Sequence, residues 1–200
     1  MKFADYERIK GIVGDIYEEN ADFLNSIPIN IEKLAEKMGF IIKRSCNIIK
    51  ENLDKLITYF EINEDKTIYG FSTFDEASQR FVIYVDDLNA KENKQRFSIA
   101  HEIGHIVLNH RENSYENEKE ADYFAGYLLC PDCVCINDKI FAKIKSGIKY
   151  LMSWFGISLD TAMICFQHIE NRKNAKPVEN NYEKIICNCI QQAVLNKTRD

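Results

Sequence analysis

The residues in this chain with the clearest chemical potential are His101, Glu102 and His105, which form a His-Glu-x-x-His pattern. On an α-helix, positions i and i+4 lie about 40° apart on one face, so both imidazoles can reach a single ion. Glu102 lies to the side of that pair, where its carboxylate can hold a water molecule. This arrangement is typical of zinc hydrolases, whose glutamate acts as general base. The pattern is short, and the alternative is two ordinary histidines on an amphipathic helix.

A catalytic zinc ion usually has three protein ligands and one water, so the pattern predicts a third ligand elsewhere. The remaining two histidines are poor candidates. If the motif helix continues, His110 points about 180° from His101 and about 140° from His105. His168 lies far along the chain and is better interpreted as a core or surface residue. An acidic ligand is therefore expected.

The helix predicted at residues 118–129 offers that ligand. Glu118 and Asp122 lie on one stripe at the edge of its apolar face, so Glu118 can bind the metal. Asp122 can accept a hydrogen bond from the outer nitrogen of a ligand histidine. Glu120 is the rival ligand, but it lies about 200° around the helix from Glu118. We favour Glu118 and expect loss of Glu120 to leave zinc content near normal. The alternative for this helix is an amphipathic element with solvated acids.

The sequence patterns around these residues predict an α+β fold. Helical periodicity is found at residues 3–20, 30–39, 91–109, 118–129, 138–152, 158–170 and 182–195. β-rich runs at residues 40–43, 56–62, 67–72 and 80–85 are close in sequence, which predicts a small antiparallel sheet beside the two site helices. Residues 1–170 are expected to form one domain with a mostly helical C-terminal half. Residues 171–200 are expected to add a polar link and a final helix.

Charge and layout argue against nucleic acid as a direct partner. Residues 138–152 and 158–170 resemble a helix-turn-helix, but this half of the chain is not notably basic. Two packed helices that complete the core are the favoured interpretation. The formal net charge of −5 points the same way, since 26 basic residues face 31 acidic ones.

The sequence also predicts a compartment. Its first residues carry charges where a signal peptide needs an apolar core, and no run approaches the roughly 20 apolar residues that cross a bilayer. We therefore expect a cytoplasmic protein with seven reduced cysteines and no membrane partner. Cys130, Cys133 and Cys135 could join Cys187 and Cys189 in a second metal site, although their spacing does not match a zinc ribbon. Buried or incidental thiols are the favoured interpretation.

With these residues in place, the chain resembles the ImmA/IrrE family of metallo-endopeptidases. In that family, His-Glu-x-x-His is followed by Glu-x-x-Ala-(Asn or Asp)-x-Phe-Ala-x-x-Leu-Leu-x-Pro. Residues 118–131 read Glu-Lys-Glu-Ala-Asp-Tyr-Phe-Ala-Gly-Tyr-Leu-Leu-Cys-Pro, and residues 95–100 are similar to the segment before the motif. The resemblance covers about residues 30–170. Cys130 replaces a residue that is usually apolar, such as methionine, and we expect this to affect packing only.

The resemblance implies a gluzincin-like zinc metalloprotease core, with Zn²⁺ held by His101, His105 and Glu118 and with Glu102 as general base. It also implies a protein substrate, namely a helix-turn-helix transcriptional repressor of a mobile element or stress response. Tyr115 and His110 are candidates for stabilising the oxyanion.

Two alternatives to this peptidase stay open. A deformylase-type amidase would require an upstream cysteine ligand, and Cys46 stands alone there. The other is a non-proteolytic metal-binding regulatory or toxin-antitoxin module, against which the intact Glu102 argues. The oligomeric state is also open.

Overall fold

A computed structural model describes residues 3–24, 26–45, 70–112, 114–136, 147–174 and 180–197. The strand predicted at residues 56–62 lies outside the described residues, as do residues 67–69 and 138–146. The elements, in chain order, are α1 (Phe3–Glu19), α2 (Ile31–Lys37), β1 (Ile41–Arg44), β2 (Gly70–Asp75), β3 (Arg80–Val85), α3 (Glu92–Val107), α4 (Tyr115–Leu129), α5 (Asp132–Ile136), α6 (Ile148–Phe155), α7 (Leu159–Asn174) and α8 (Asn181–Lys197).

The described strands form a small mixed sheet with the order β1-β3-β2. Strand β2 pairs antiparallel with β3, with Ser72 opposite Ile83. Strand β1 runs parallel to β3, with Ile42 opposite Ile83. The α+β class is confirmed, whereas the prediction of a purely antiparallel sheet is wrong. That prediction assumed that neighbouring runs pair with one another, but the long connection from β1 to β3 allows the parallel crossover pairing.

Helix α3 lies on the sheet and carries the His-Glu-x-x-His pattern. Its side facing β2, β3 and α2 buries Ile99, Ala100 and Ile103, which join the sheet residue Ile83 in one apolar core. The helix ends at Val107, two residues before the predicted end. Leu108 follows as the C-cap, and Asn109 turns the chain away with φ 57°. Asparagine tolerates this left-handed conformation better than most side chains.

Helix α4 packs against α3 at Gly104, where the absence of a side chain leaves room for the Phe124 ring of α4. A Cβ atom on Gly104 would lie 2.9 Å from Cδ1 of Phe124 and 3.3 Å from Cα of Ala121. The approach therefore depends on glycine at 104 and on the small residue at 121. Helix α4 begins at Tyr115, three residues before the predicted start, because the Ser114 side chain accepts a hydrogen bond from the Asn117 amide and caps it.

The C-terminal half completes the same core around a buried charge network. Arg172 of α7 donates to Asp132 of α5 and, at 2.5 Å, to Glu183 of α8. Helix α8 also packs against α1, whose Tyr17 hydroxyl donates to the Leu128 carbonyl oxygen at 3.0 Å. Along the ranges that the structure describes, none of the helices combines the length and apolar character that a membrane span requires.

We predict opposite effects on stability for two glycine substitutions in these packed helices. Gly104→Ala should destabilise the metal-free protein by about 1–3 kcal/mol, because its methyl group would overlap Phe124. Gly126→Ala should stabilise it by about 0.5–1 kcal/mol, because the new Cβ has only the Cys165 sulfur nearby, at 3.9 Å. Urea unfolding in the presence of a chelator measures both values. Equal stabilisation by the two substitutions would contradict the close approach of α3 and α4.

Candidate metal centre

Three side chains from α3 and α4 point their ligand atoms at one place. The Nε2 atoms of His101 and His105 lie 2.9 Å apart. Glu118 brings Oε2 to 3.5 Å from Nε2 of His101 and Oε1 to 3.4 Å from Nε2 of His105. Among the residues that the structure describes, this is the one group of three histidine, cysteine or acidic side chains close enough to share an ion. The structure thus brings together the three predicted ligands.

Without a bound metal ion, protonated His101 and ionised Glu118 form a pair of opposite charges. Burial by itself lowers the pKa of His101, but its hydrogen bonds to Asp122 and Glu118 outweigh that effect and raise the pKa to about 9. The hydrogen bonds from His101 and His105 lower the pKa of Glu118 well below its usual range. His101 is therefore protonated at neutral pH, and a metal cation could take the place of that proton.

The outer nitrogen of His101 is held by Asp122. The distance from Nδ1 of His101 to Oδ1 of Asp122 is 2.9 Å. In the neutral imidazole this carboxylate keeps the proton on Nδ1, so that Nε2 can serve as a ligand atom. Asp122 thus takes the position predicted from its spacing one turn after Glu118.

The outer nitrogen of His105 is held by another histidine. Nδ1 of His110 lies 3.0 Å from Nδ1 of His105, and Nε2 of His110 lies 3.4 Å from Oε2 of Glu120. The prediction that His110 lies on the wrong side of the helix is wrong, because α3 ends at Val107 and does not continue to residue 110. The chain instead turns at Asn109 and folds His110 back beside the motif.

Metal binding by His105 would set the donor and the acceptor in the hydrogen bonds that join His105, His110 and Glu120. If Nε2 of His105 is a ligand atom, its Nδ1 carries the proton and donates to Nδ1 of His110. The Nε2 proton of His110 then points to Glu120, which also accepts a 2.5 Å hydrogen bond from Arg8 of α1. Burial lowers the pKa of His110, which is consistent with the neutral form that this direction requires. Glu120, the rival ligand, thus supports the second histidine through an intermediate residue.

Glu102 is buried, with 8% of its surface exposed, and is held from the sheet. The Ser72 hydroxyl of β2 donates to Oε2 of Glu102 at 2.7 Å. Because one carboxylate oxygen is engaged, the other is the one available to a water molecule or substrate. The contact depends on α3 packing on β2, a tertiary relation that the sequence pattern does not reveal.

The two residues suggested for the oxyanion are placed differently. Both ring nitrogens of His110 have partners inside the protein, so neither is free for a substrate oxygen. Tyr115 lies at the start of α4, largely exposed, with the Lys119 ammonium over its ring. In this geometry His110 is a supporting residue and not an oxyanion donor.

The cysteines do not add a second cluster of this kind within the described residues. Cys130 and Cys133 are buried free thiols, and their burial raises the pKa of each well above its usual value. Thiols in this state are poor nucleophiles and behave as small apolar side chains. Cys130 accordingly fills a core position after α4.

Comparison with known proteins identifies the family. A search of curated protein sequences finds no match to this chain. The family profile described as the IrrE N-terminal-like domain, a peptidase family, matches residues 54–163. That region includes Glu102 and the three clustered residues His101, His105 and Glu118, and it spans more than half of the chain. The chain therefore belongs to the IrrE N-terminal-like domain family of peptidases.

Proposed function

We propose that this protein is a zinc-dependent endopeptidase with a gluzincin-like core. The observation that carries the proposal is the convergence of His101, His105 and Glu118 beside a buried, oriented Glu102. His101, His105 and Glu118 are the proposed metal ligands, and Glu102 is the proposed general base. A purely metal-binding module would have no use for a held carboxylate at this position.

Zinc fits the three ligand atoms. Zinc–ligand bonds of about 2.0–2.1 Å at tetrahedral angles place neighbouring ligand atoms roughly 3.3 Å apart. The separations here are 2.9, 3.4 and 3.5 Å. Two imidazoles and one carboxylate form a ligand set typical of catalytic zinc sites, in which a fourth position stays open.

The residues around this position supply the proton transfers of peptide hydrolysis. When bound, zinc supplies a Lewis acid that polarises the scissile carbonyl and lowers the pKa of water to about 7. The free oxygen of Glu102 accepts the proton of the attacking water and later delivers it to the leaving amine. Ser72 holds the other oxygen of Glu102, so the carboxylate need not reorient between these two steps.

We propose as substrate a cytoplasmic protein, namely a helix-turn-helix repressor of a mobile element or stress response, without direct binding of nucleic acid. Membership of this peptidase family supports cleavage of a peptide bond. The net charge of −5 supports a protein partner over a phosphate backbone. Co-expression of wild-type and Glu102→Gln protein with a repressor encoded by a neighbouring gene tests the substrate. A product that forms only with the wild type is expected.

Glu102→Gln should abolish peptide hydrolysis while leaving zinc content near one ion per chain. The amide still accepts a hydrogen bond from Ser72, but it cannot take a proton from water. Peptide cleavage followed by mass spectrometry, with metal analysis of the same sample, measures both properties. Retention of more than about one tenth of wild-type activity would argue against Glu102 as general base.

Substitutions of Glu118 and Glu120 should separate a ligand from a supporting residue. Glu118→Gln should lose stoichiometric zinc, as should His101→Ala. Glu120→Gln should keep one zinc per chain with an affinity about 10- to 100-fold lower, because it weakens the hold on His110 and thereby on His105. Chelator competition gives the affinities.

Glu116→Gln serves as the matched control, since Glu116 is an exposed acid on the same helix. Its zinc affinity should equal that of the wild type. Full zinc retention by Glu118→Gln would contradict the assignment of Glu118 as a metal ligand. Wild-type affinity in Glu120→Gln would show that the contact through His110 does not support the metal.

Zinc binding should release about one proton at neutral pH and strengthen with rising pH. The pKa of His101 is about 9 in the metal-free protein, so its proton must leave before Nε2 can bind the ion. Apparent affinity should rise about tenfold per unit between roughly pH 6 and pH 8 and level off above the pKa of His101. Isothermal titration in buffers of different ionisation enthalpy counts the protons. A pH-independent affinity would contradict the protonated state of His101.

A further inference from the structure

A cavity of about 440 Å³ lies beside the metal centre, between α1, α4 and α7. Two of its lining residues also contact a ligand histidine. Asp122 accepts the hydrogen bond from Nδ1 of His101, and the Phe97 ring lies 6.3 Å from the His101 ring, centroid to centroid. The cavity is therefore one residue layer away from the proposed ligands. Its volume falls within the range of about 300–1,000 Å³ that ligand sites occupy.

Aromatic rings form much of the cavity wall. Tyr6 and Tyr123 meet edge to face with their centroids 4.6 Å apart, and Tyr127 lies 6.1 Å from Tyr123 in a stacked arrangement. Gly126 lines the same wall without a side chain, where an added Cβ would have only Cys165 nearby. This wall offers flat apolar surface for another large side chain.

The buried carboxylate of the cavity, Asp132, already has partners. Asp132 accepts from Arg172, and the Lys10 ammonium lies 3.9 Å from its other oxygen. Burial lowers the pKa of His168, so its ring is neutral at pH 7. Lys119 and Asp160 also line the cavity, but both are exposed to solvent, so a charged ligand that enters the buried part would lose its hydration without gaining a buried counter-charge. An uncharged, apolar group is favoured.

The mouth of the cavity continues onto an exposed apolar surface of α7. Ile164 lines the cavity and is 59% exposed, while Leu159 and Met163 on the same helix are each 52% exposed. Grouped large hydrophobic side chains in contact with water are typical of interaction sites. Ile164 lies just beyond the region that the family profile matches, residues 54–163, and Tyr6 lies far before it, near the other end of the chain. The cavity is thus completed by parts of the chain outside the matched region.

We propose that this cavity is a specificity subsite that receives a large aliphatic or aromatic side chain of the protein substrate, close to the scissile bond. This inference rests on the proposed peptidase function. The observations that carry it are the shared wall with the metal centre, the aromatic lining and the exposed apolar rim. The substrate class it selects is a protein segment with Leu, Met, Phe or Trp at one fixed position.

Two substitutions test the subsite from inside and from the rim. Gly126→Leu places a side chain in the cavity, and Ile164→Glu puts a charge at its mouth. Leu88→Glu is the matched control, because Leu88 is 57% exposed and does not line the cavity. The zinc-loaded proteins are each given a randomised peptide library, and the cleavage products are sequenced by mass spectrometry.

The wild type is expected to prefer large apolar residues at one position relative to the cut. Gly126→Leu and Ile164→Glu should each reduce the ratio of large to small residues at that position at least about tenfold, mainly through KM. Zinc content should stay at the wild-type level in both, and Leu88→Glu should retain the wild-type profile. A wild-type profile indifferent to residue size would overturn the subsite while leaving the peptidase intact. An equal loss of cleavage rate for all peptides in both variants would also overturn the subsite.

A binding measurement separates failure of the subsite from failure of the proposed function. N-acetyl-phenylalanine amide and N-acetyl-alanine amide are titrated at millimolar concentration into zinc-loaded wild type and Gly126→Leu, followed by NMR. Saturable binding of the phenylalanine amide alone, lost in Gly126→Leu, is expected even if no library peptide is cut. Absence of that binding in the wild type, or its persistence in Gly126→Leu, overturns the proposal.

Discussion

Helix α4 can lie against α3 at the candidate metal centre because Gly104, the residue immediately before His105, has no side chain. The place that a Cβ would take is filled by Phe124 and by the backbone of Ala121. Glu118 lies one turn before Ala121 along α4, and the histidines lie on either side of Gly104 along α3. The closest approach of the two helices therefore lies within about one turn of all three proposed ligands. Since core packing resists sub-ångström change, this contact fixes the ligand spacing.

The two histidines differ in how their outer nitrogens are held. His101 donates to a carboxylate that is 60% exposed, whereas His105 contacts His110, whose side chain is only 6% exposed. A carboxylate partner makes an imidazole a stronger electron donor than a neutral imidazole partner does. His110, which contacts His105, also contacts Glu120, and Glu120 accepts a hydrogen bond from Arg8 of α1. The N-terminal helix therefore contributes to a site formed by α3 and α4.

Helix α7 has two roles in this arrangement. Its inner side buries Ala162, Cys165 and Ile169, and its C-terminal end places Arg172 between Asp132 and Glu183. Its outer side carries the exposed residues at the mouth of the cavity. The helix-turn-helix layout of α6 and α7 thus coincides with a packed pair of helices whose exposed surface includes Leu159, Met163 and Ile164.

The sequence by itself determined which residues could do the chemistry, because helical periodicity fixes directions within one helix. It placed His101 and His105 on one face, and it put Glu118 and Asp122 on one stripe of a second helix. It also indicated the α+β class and the family, through a pattern that spans both helices. The two residues of each of these pairs lie about one turn apart on a single helix.

Tertiary structure decided the relations that cross between elements. Three such relations are the parallel pairing of β1 with β3, the Ser72 contact to Glu102 and the Arg8 contact to Glu120, which join residues between 30 and 112 positions apart in the sequence. His110 was misplaced for a related reason, since the end of α3 is set by the left-handed turn at Asn109 and not by periodicity. Helical periodicity predicts side-chain directions only within the helix itself. Which residues of other elements form hydrogen bonds with that helix depends on tertiary packing. The sequence therefore indicated the proposed ligands, and only the fold revealed which residues hold them in place.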